Sequence, residues 1–109
     1  MKLFRAERVS RLIKEQVSLL LVRELEFHGA LVTVTDVEVD KKLEHAKIKL
    51  SVLPAAKADG AMKIIERHAG EFQHLLLKKI NIKPMPRIAF EIDRGYENAA
   101  QVEKSLMGK

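Results

Sequence analysis

The spacing between apolar residues changes along this chain from a helical period to a strand period, and this change restricts the fold more than any other feature. In the first segment apolar residues recur at spacings of three and four, at Val9, Leu12, Ile13, Val17, Leu20 and Leu21. This spacing predicts an amphipathic helix over residues 4–27, with Gly29 as its stop. From Leu31 onwards the period is two and β-branched residues dominate, which predicts an extended strand.

An antiparallel hairpin is predicted next. The valines of its first strand fall on two faces, Val32 and Val34 on one and Val37 and Val39 on the other. This change of phase near Thr35-Asp36 indicates a β-bulge or bend. After a polar turn at Lys41-Lys42, the second strand alternates lysine and serine with apolar residues, which are Ala46, Ile48, Leu50 and Val52. Such alternation is typical of a strand with one buried face.

Two helical stretches that meet at Ala69-Gly70 follow a break at Pro54. Their apolar residues recur at helical spacing, at Met62, Ile65 and Ala69 and then at Phe72, Leu75, Leu76 and Ile80. Because glycine inside a helix costs about 1 kcal/mol relative to alanine, we expect the chain to bend at this junction. Pro84 and Pro86 end the second stretch. A third strand is predicted from the alternation of Ile88, Phe90 and Ile92.

The order helix, strand, strand, helix, helix, strand defines the predicted fold class. It is α+β, a type II KH-like arrangement with a three-stranded sheet, helices on one face and a kinked helix pair at Ala69-Gly70. In KH domains the junction between the two consecutive helices is a short Gly-containing loop that clamps a nucleic-acid backbone. We expect residues 1–109 to form a single KH-like RNA-binding domain. A short terminal helix is expected to be lined by Val102, Leu106 and Met107.

The charge of the chain favours an anionic partner. Twenty Lys and Arg residues against 15 Asp and Glu give a net charge of +5, and the excess lies in residues 1–29 and, mostly, in residues 56–90. Such a balance is compatible with nucleic-acid binding. Charges interrupt every apolar run well before the roughly 20 residues of a membrane span, no secretory signal is recognisable and cysteine is absent. We therefore expect a cytoplasmic protein.

Specific residues along nearly the whole chain resemble those of a known family. They are Arg8-Val9, Ile13 and Val17-Ser18-Leu19-Leu20 in the first helix, Val32 to Val39, Leu43, Ala46-Lys47-Ile48 and Leu50-Ser51-Val52-Leu53 in the hairpin, Gly70 at the junction, and Pro86, Ile88, Phe90 and Asp93 around the last strand. In order and spacing they resemble ribosome-binding factor A, a bacterial factor that assists maturation of the small ribosomal subunit. The resemblance implies a non-enzymatic protein that binds the 16S rRNA of the 30S subunit near the decoding region. It further implies that the protein stabilises a late precursor, assists rRNA processing and leaves when maturation is complete.

Four residues depart from the pattern of that family. The family reduces the KH loop to an Ala-x-Gly kink, and this chain has His68-Ala69-Gly70, with histidine in place of the first alanine. Gln73 and Lys83 stand where the family usually has arginine, and Lys42 stands where an aspartate commonly follows the first strand. Lysine keeps the charge without the bidentate fork of arginine, whereas glutamine gives up the charge. These changes indicate a divergent member or a different contact pattern with the RNA.

The candidate RNA-binding surface combines basic residues of the first helix with residues around the junction. It consists of Arg5, Arg8, Arg11, Lys63, Arg67, His68, Gly70, His74, Lys78, Lys79, Lys83 and Arg87. We expect the cations to contact phosphates, although any one of them is compatible with a solvated helix face. Gly70 is interpreted as a hinge that lets the RNA backbone approach, as a helix C-cap, or as both. His68 either donates to a phosphate when protonated or caps the helix as a partly buried neutral residue.

Other polar residues do not indicate catalysis or a metal site. The histidines lack the spacing of metal ligands, since His68 and His74, for example, are six residues apart. The carboxylates of the first strand are interpreted as a solvent face, and they are Asp36, Glu38 and Asp40. No catalytic residue, metal or cofactor is expected.

The expected partners are the small ribosomal subunit and its rRNA. No membrane and no small-molecule substrate are expected, and the free chain is expected to be a monomer. Two alternatives remain open. A general KH-type RNA-binding protein would prefer single-stranded messages, and a protein-interaction module would dimerise through the first helix and an exposed sheet edge.

Overall fold

The structure is a computed structural model that describes residues 2–93, with side chains from residue 5 onwards, and its elements follow the predicted order. They are α1 (Lys2–Glu24), β1 (Leu31–Val39), β2 (His45–Leu53), a 3₁₀ turn (Ala55–Lys57), α2 (Ala58–Arg67), α3 (Ala69–Ile80) and β3 (Arg87–Ile92). The predicted terminal helix around Val102 lies outside the described residues. Within residues 2–93 no helix has the length and apolar character that crossing a membrane requires.

The segment after α1 is shaped by two left-handed residues. The helix ends at Glu24, three residues before the predicted end, and His28 (φ 52°) and Gly29 (φ 90°) then turn the chain. Glu26 Oε1 accepts the N–H of His28 at 3.0 Å. Lys57 Nζ donates to the carbonyl of His28 at 2.9 Å, and a Cβ at Gly29 would lie 2.8 Å from that nitrogen. Gly29 is therefore favoured by its left-handed backbone angle, and a side chain at this position would also displace the flexible end of Lys57.

The sheet has the order β1-β2-β3, with β1 antiparallel and β3 parallel to β2. The predicted hairpin and bulge are confirmed, because the register shifts between Val34 and Asp36 and leaves Thr35 as the extra residue. The prediction that the valines occupy opposite faces is wrong. Since the bulge adds one residue to β1, Val34 and Val37 are both buried in the same core.

The hydrophobic core lies between the helices and one face of the sheet, as predicted. Its least accessible apolar side chains include Ile13, Val17, Ile48, Leu50, Ile65, Phe72 and Leu76. The rings of Phe72 on α3 and Phe90 on β3 meet edge to face, with centroids 6.4 Å apart. Burial of each such side chain contributes roughly 1.5–3 kcal/mol, so the helices are held to the sheet mainly by this layer.

The opposite face of the sheet is largely exposed and carries pairs of opposite charge. Glu38 Oε1 lies 3.0 Å from Lys49 Nζ, and Glu91 Oε2 lies 3.5 Å from Lys47 Nζ. The hydrogen bond to Glu38 raises the pKa of Lys49 above its ordinary value. Exposed pairs of this kind contribute little to stability. The interpretation of the first-strand carboxylates as a solvent face is confirmed, because Asp36 and Glu38 are exposed.

The turn between β1 and β2 is organised by the carboxylate of Asp40. Its Oδ1 accepts the N–H of Glu44 at 2.7 Å, and its Oδ2 lies 3.2 Å from His45 Nδ1. Leu43 takes a left-handed conformation in this turn (φ 58°) and is buried. The hydrogen bond from the backbone of Glu44, aided by His45, lowers the pKa of Asp40 below its ordinary value of 3.8.

Replacing Asp40 with asparagine is expected to remove a stabilising contribution that exists only while the Asp40 carboxylate is ionised. Because the folded state lowers the pKa of this group, the contribution is complete above pH 3.8 and is lost as the pH falls through the folded value. Urea unfolding midpoints of the wild type and Asp40→Asn should therefore differ at neutral pH and converge in acid. Asp36→Asn, on the exposed face, is the control. A difference that is equal at both pH values would contradict this role of Asp40.

Candidate nucleic-acid interface

The helices α2 and α3 meet at His68, one residue before the predicted junction. His68 lies between Arg67 and Ala69 with φ −105° and ψ 4°. Its N–H donates to the carbonyl of Ile65 at 3.0 Å, and its ring Nδ1 lies 2.8 Å from the carbonyl oxygen of Ile64. Because a carbonyl oxygen only accepts, Nδ1 carries the hydrogen and Nε2 is the second polar atom of the ring. The capping interpretation of His68 is therefore confirmed.

Gly70 is the second residue of α3, so its interpretation as a helix C-cap is wrong. The first turn of α3 is closed by the N–H of Phe72, which donates to the carbonyl of His68 at 2.9 Å. The N–H groups of Ala69, Gly70 and Glu71 precede that bond and have no acceptor within the helix. A Cβ on Gly70 would meet no heavy atom within 4 Å. An anion can thus approach bare backbone at a helix start, and the hinge interpretation stays a prediction.

Three of the predicted RNA-binding residues lie together at this break. Lys63, Arg67 and His68 line one hollow of about 540 Å³, between α2 and the segment that follows α1. Lys63 and Arg67 are exposed and one helical turn apart, while His68 is half-buried. The C-terminal end of α2 and the N-terminal end of α3 adjoin here, so the opposite partial charges of the two helix dipoles lie side by side. The α2 side of this hollow is therefore suited to a negatively charged group, whereas Glu24 and Glu26 line the side of α1.

The arginines of α1 are not part of this group. At a rise of about 1.5 Å per residue, the helix from Arg8 to Glu24 is about 24 Å long, and Glu24 is the residue of α1 that lines the hollow. Arg87 pairs with His45 beside the hairpin turn. The other exposed residues of the predicted RNA-binding surface that lie outside the hollow include Arg5, Arg11, His74, Lys78, Lys79 and Lys83. The structure thus gathers the cations of α2 at the break and leaves those of α1 at a distance.

Gln73 links α3 to the start of β3, and sequence reasoning missed this role. Its Nε2 donates to the carbonyl of Pro86 at 2.9 Å, and its Oε1 accepts the N–H of Ile88 at 2.8 Å. Because β3 has only β2 beside it in the sheet, the amide of Gln73 takes the place of a neighbouring strand at the other edge. The one signal in the sequence was a polar residue directly after the apolar Phe72. An arginine at this position could donate to Pro86 but could not accept from Ile88.

The order of elements, the sheet with helices on one face and the bent helix pair define a KH-like α+β protein. Within that class, the helix break offers backbone donors beside exposed cations. The chain belongs to the ribosome-binding factor A family, because the family model described as ribosome-binding factor A matches residues 5–106. The resemblance read from the sequence is confirmed.

Individual relatives agree with this assignment. Ribosome-binding factor A of Synechococcus sp. (strain CC9605) is 32% identical over 102 residues, covering 90% of this chain and 73% of the relative. The protein of Halothermothrix orenii is 32% identical over 108 residues, covering 97% and 88%. Both are similar to this chain over most of their length.

A crystal structure and a map-fitted homology model of one relative show the same fold. The crystal structure of ribosome-binding factor A from Thermus thermophilus superposes with a TM-score of 0.61 at 17% identity, covering 84% of this chain and 94% of that one. A homology model of the Thermus thermophilus factor, fitted into a cryo-electron microscopy map of a 30S complex, gives a TM-score of 0.64 at 19% identity and covers 83% and 92%.

Proposed function

We propose that this protein is a non-enzymatic ribosome assembly factor that binds the small ribosomal subunit through its 16S rRNA and assists late maturation in the cytoplasm. Membership of the family supports the proposal, as does the Thermus thermophilus relative fitted into a 30S complex. The observation that carries it is the break at His68. There, the exposed Lys63 and Arg67 line a hollow that reaches His68, the residue directly before α3, and Gly70 in the first turn of α3 carries no side chain.

Phosphate groups are the ligands that suit this break. The N–H groups at the start of α3 donate to phosphate oxygens, while Lys63 and Arg67 supply the opposite charge. His68 adds a further donor through Nε2 once its ring is protonated, because Nδ1 is already bonded to Ile64. Contacts to phosphate position a protein on RNA without reading its sequence. Recognition of a folded RNA by its shape therefore fits this site.

Base stacking on the open face of the sheet is a weaker explanation. Among the described side chains, Phe72 is buried and Phe27 and Phe90 are half-buried, so none of these phenylalanines forms an exposed platform. The platform of an RRM sheet depends on exposed aromatic residues on its strands. This comparison favours binding at the helix break rather than on the sheet.

Sedimentation through a gradient tests the proposed partner. At low salt the protein should co-migrate with small-subunit particles, and at high salt it should remain at the top. Salt dissociates such a complex because affinity falls with a log-log slope of about 0.7 per phosphate contact on single strands. Absence of co-migration at low salt would contradict the proposal.

Two further measurements separate the alternatives. If naked single-stranded RNA binds as tightly as the assembled subunit, the protein is a general RNA-binding protein. The interaction-module alternative draws on the exposure of Leu19 (48%) and Val22 (80%) on α1. A mass that rises with concentration, without affinity for nucleic acid, would favour that module.

A further inference from the structure

The hollow beside the break has a half-buried floor that continues along α2. Leu25, Ile64 and His68 are its least exposed lining residues, and the His68 ring is fixed by its hydrogen bond to Ile64. A second hollow of about 250 Å³ shares His28, Gly60 and Ile64 with the first. The first hollow, at about 540 Å³, is within the range of about 300–1,000 Å³ that is usual for small-ligand sites.

The two sides of this hollow carry opposite charges that form no ion pair with each other. Glu24 and Glu26 lie on the side of α1, and Lys63 and Arg67 lie on α2. The ion pairs of the described part of the chain lie elsewhere, on the open face of the sheet and at its hairpin turn. Glu26 is held in place because its Oε1 accepts the N–H of His28, which leaves its second oxygen for a further donor. A complementary ligand therefore offers hydrogen-bond donors to one wall and a negative group to the other.

We propose that this hollow binds one unpaired nucleobase bearing an amino group, with guanine preferred, from the RNA strand whose phosphates meet the break. The inference rests on the proposed function and adds base selection to it. Guanine presents two adjacent donors, its N1–H and its N2 amino group, to the two oxygens of the Glu24 carboxylate, whereas uracil presents one N–H between two carbonyl oxygens. The floor residues Leu25 and Ile64 contact the base, and Lys63 and Arg67 receive its phosphate.

Binding of labelled oligouridine with and without one central guanosine tests this preference. By fluorescence anisotropy, the full-length wild type should bind the guanosine-containing RNA about tenfold more tightly, as a bidentate base contact provides. Glu24→Gln replaces an accepting oxygen with a donating amide, so the ratio of the two affinities should fall from about tenfold to about one. Glu15→Gln, an exposed carboxylate of the same helix outside the hollow, is the matched control and should keep the preference.

Filling the hollow gives a second, independent variant. Gly60 lines both hollows, and a Cβ at this position would meet no heavy atom within 4 Å. Gly60→Leu should therefore occupy the space of the base and abolish the tenfold preference. Because leucine forms helices better than glycine, the thermal unfolding temperature of the Gly60→Leu variant should not fall. A loss of the guanosine preference in this variant could then not be attributed to unfolding.

Three outcomes would overturn the inference. Equal affinity of the wild type for the two RNAs would do so, as would a preference that survives both Glu24→Gln and Gly60→Leu. Competition by micromolar GMP would overturn the assignment to RNA, since a free nucleotide would then be the ligand. If neither RNA nor the small subunit binds the wild type, the proposed function fails instead, so the two failures are distinguishable.

Discussion

The double substitution Lys63→Glu and Arg67→Glu, which reverses the charge of two α2 residues beside the break, is expected to lower the affinity for small-subunit RNA on the order of 100-fold or more. The reason is that each charge-assisted hydrogen bond lost is worth about 1.5–3 kcal/mol. Both side chains are exposed, so the substitutions remove no core packing. The log-log dependence of affinity on salt should also become shallower by about 1.4, because each of the two phosphates that the variant no longer binds accounts for about 0.7 of the slope. Equilibrium binding to isolated small subunits at several salt concentrations measures both effects.

The matched control is the pair Arg8→Glu and Arg11→Glu on α1. It makes the same change in net charge on exposed residues that lie far along the helix from the hollow. A smaller loss of affinity is expected from this pair, because long-range attraction is screened over about 10 Å at moderate salt. Equal losses from the two pairs would show that binding depends on the total charge of the protein, which would contradict the break as the principal site.

The parts of the fold that sequence predicted are those set by local periodicity. The helical spacing that begins at Val9 and the alternation that begins at Ala46 each determine which face of one element is buried. The bulge near Thr35 was also predictable, because the valines change phase around it. The face on which Val37 lies could not be predicted in the same way. A bulge changes the face of a residue relative to the partner strand, and this is determined by the pairing with β2.

The sequence predicted where along the chain the candidate site lies, but it did not predict which residues of other segments surround it. A glycine between two amphipathic stretches indicated the junction, but the break lies at His68 because its side chain and backbone close α2 on Ile64 and Ile65. Glu24 and Lys63, which are far apart in sequence, line the same hollow only in the folded chain. No pattern within one segment contains such a relation between distant segments.

Replacing Gln73 with methionine is expected to lower the free energy of unfolding by about 2–4 kcal/mol, because two partly buried backbone groups lose a hydrogen-bond partner. These groups are the carbonyl of Pro86 and the N–H of Ile88, at 2.9 and 2.8 Å from the Gln73 amide. The loss is large compared with the total stability of about 5–15 kcal/mol that is usual for a domain. It should appear as a lower urea midpoint with an unchanged m-value. His74→Met, the exposed neighbour on α3, is the control.

Two charged variants separate the two hydrogen bonds of Gln73. Glutamate keeps the acceptor for Ile88 and loses the donor for Pro86, whereas arginine, usual in the family, keeps the donor and loses the acceptor. Hydrogen exchange at the Ile88 amide should therefore accelerate in Gln73→Arg and not in Gln73→Glu. Unchanged stability in Gln73→Met, or unchanged exchange in Gln73→Arg, would contradict the linking role. These bonds join α3 to the start of β3. The exchange rate of the Ile88 amide therefore also reports how firmly α3 is held to the sheet.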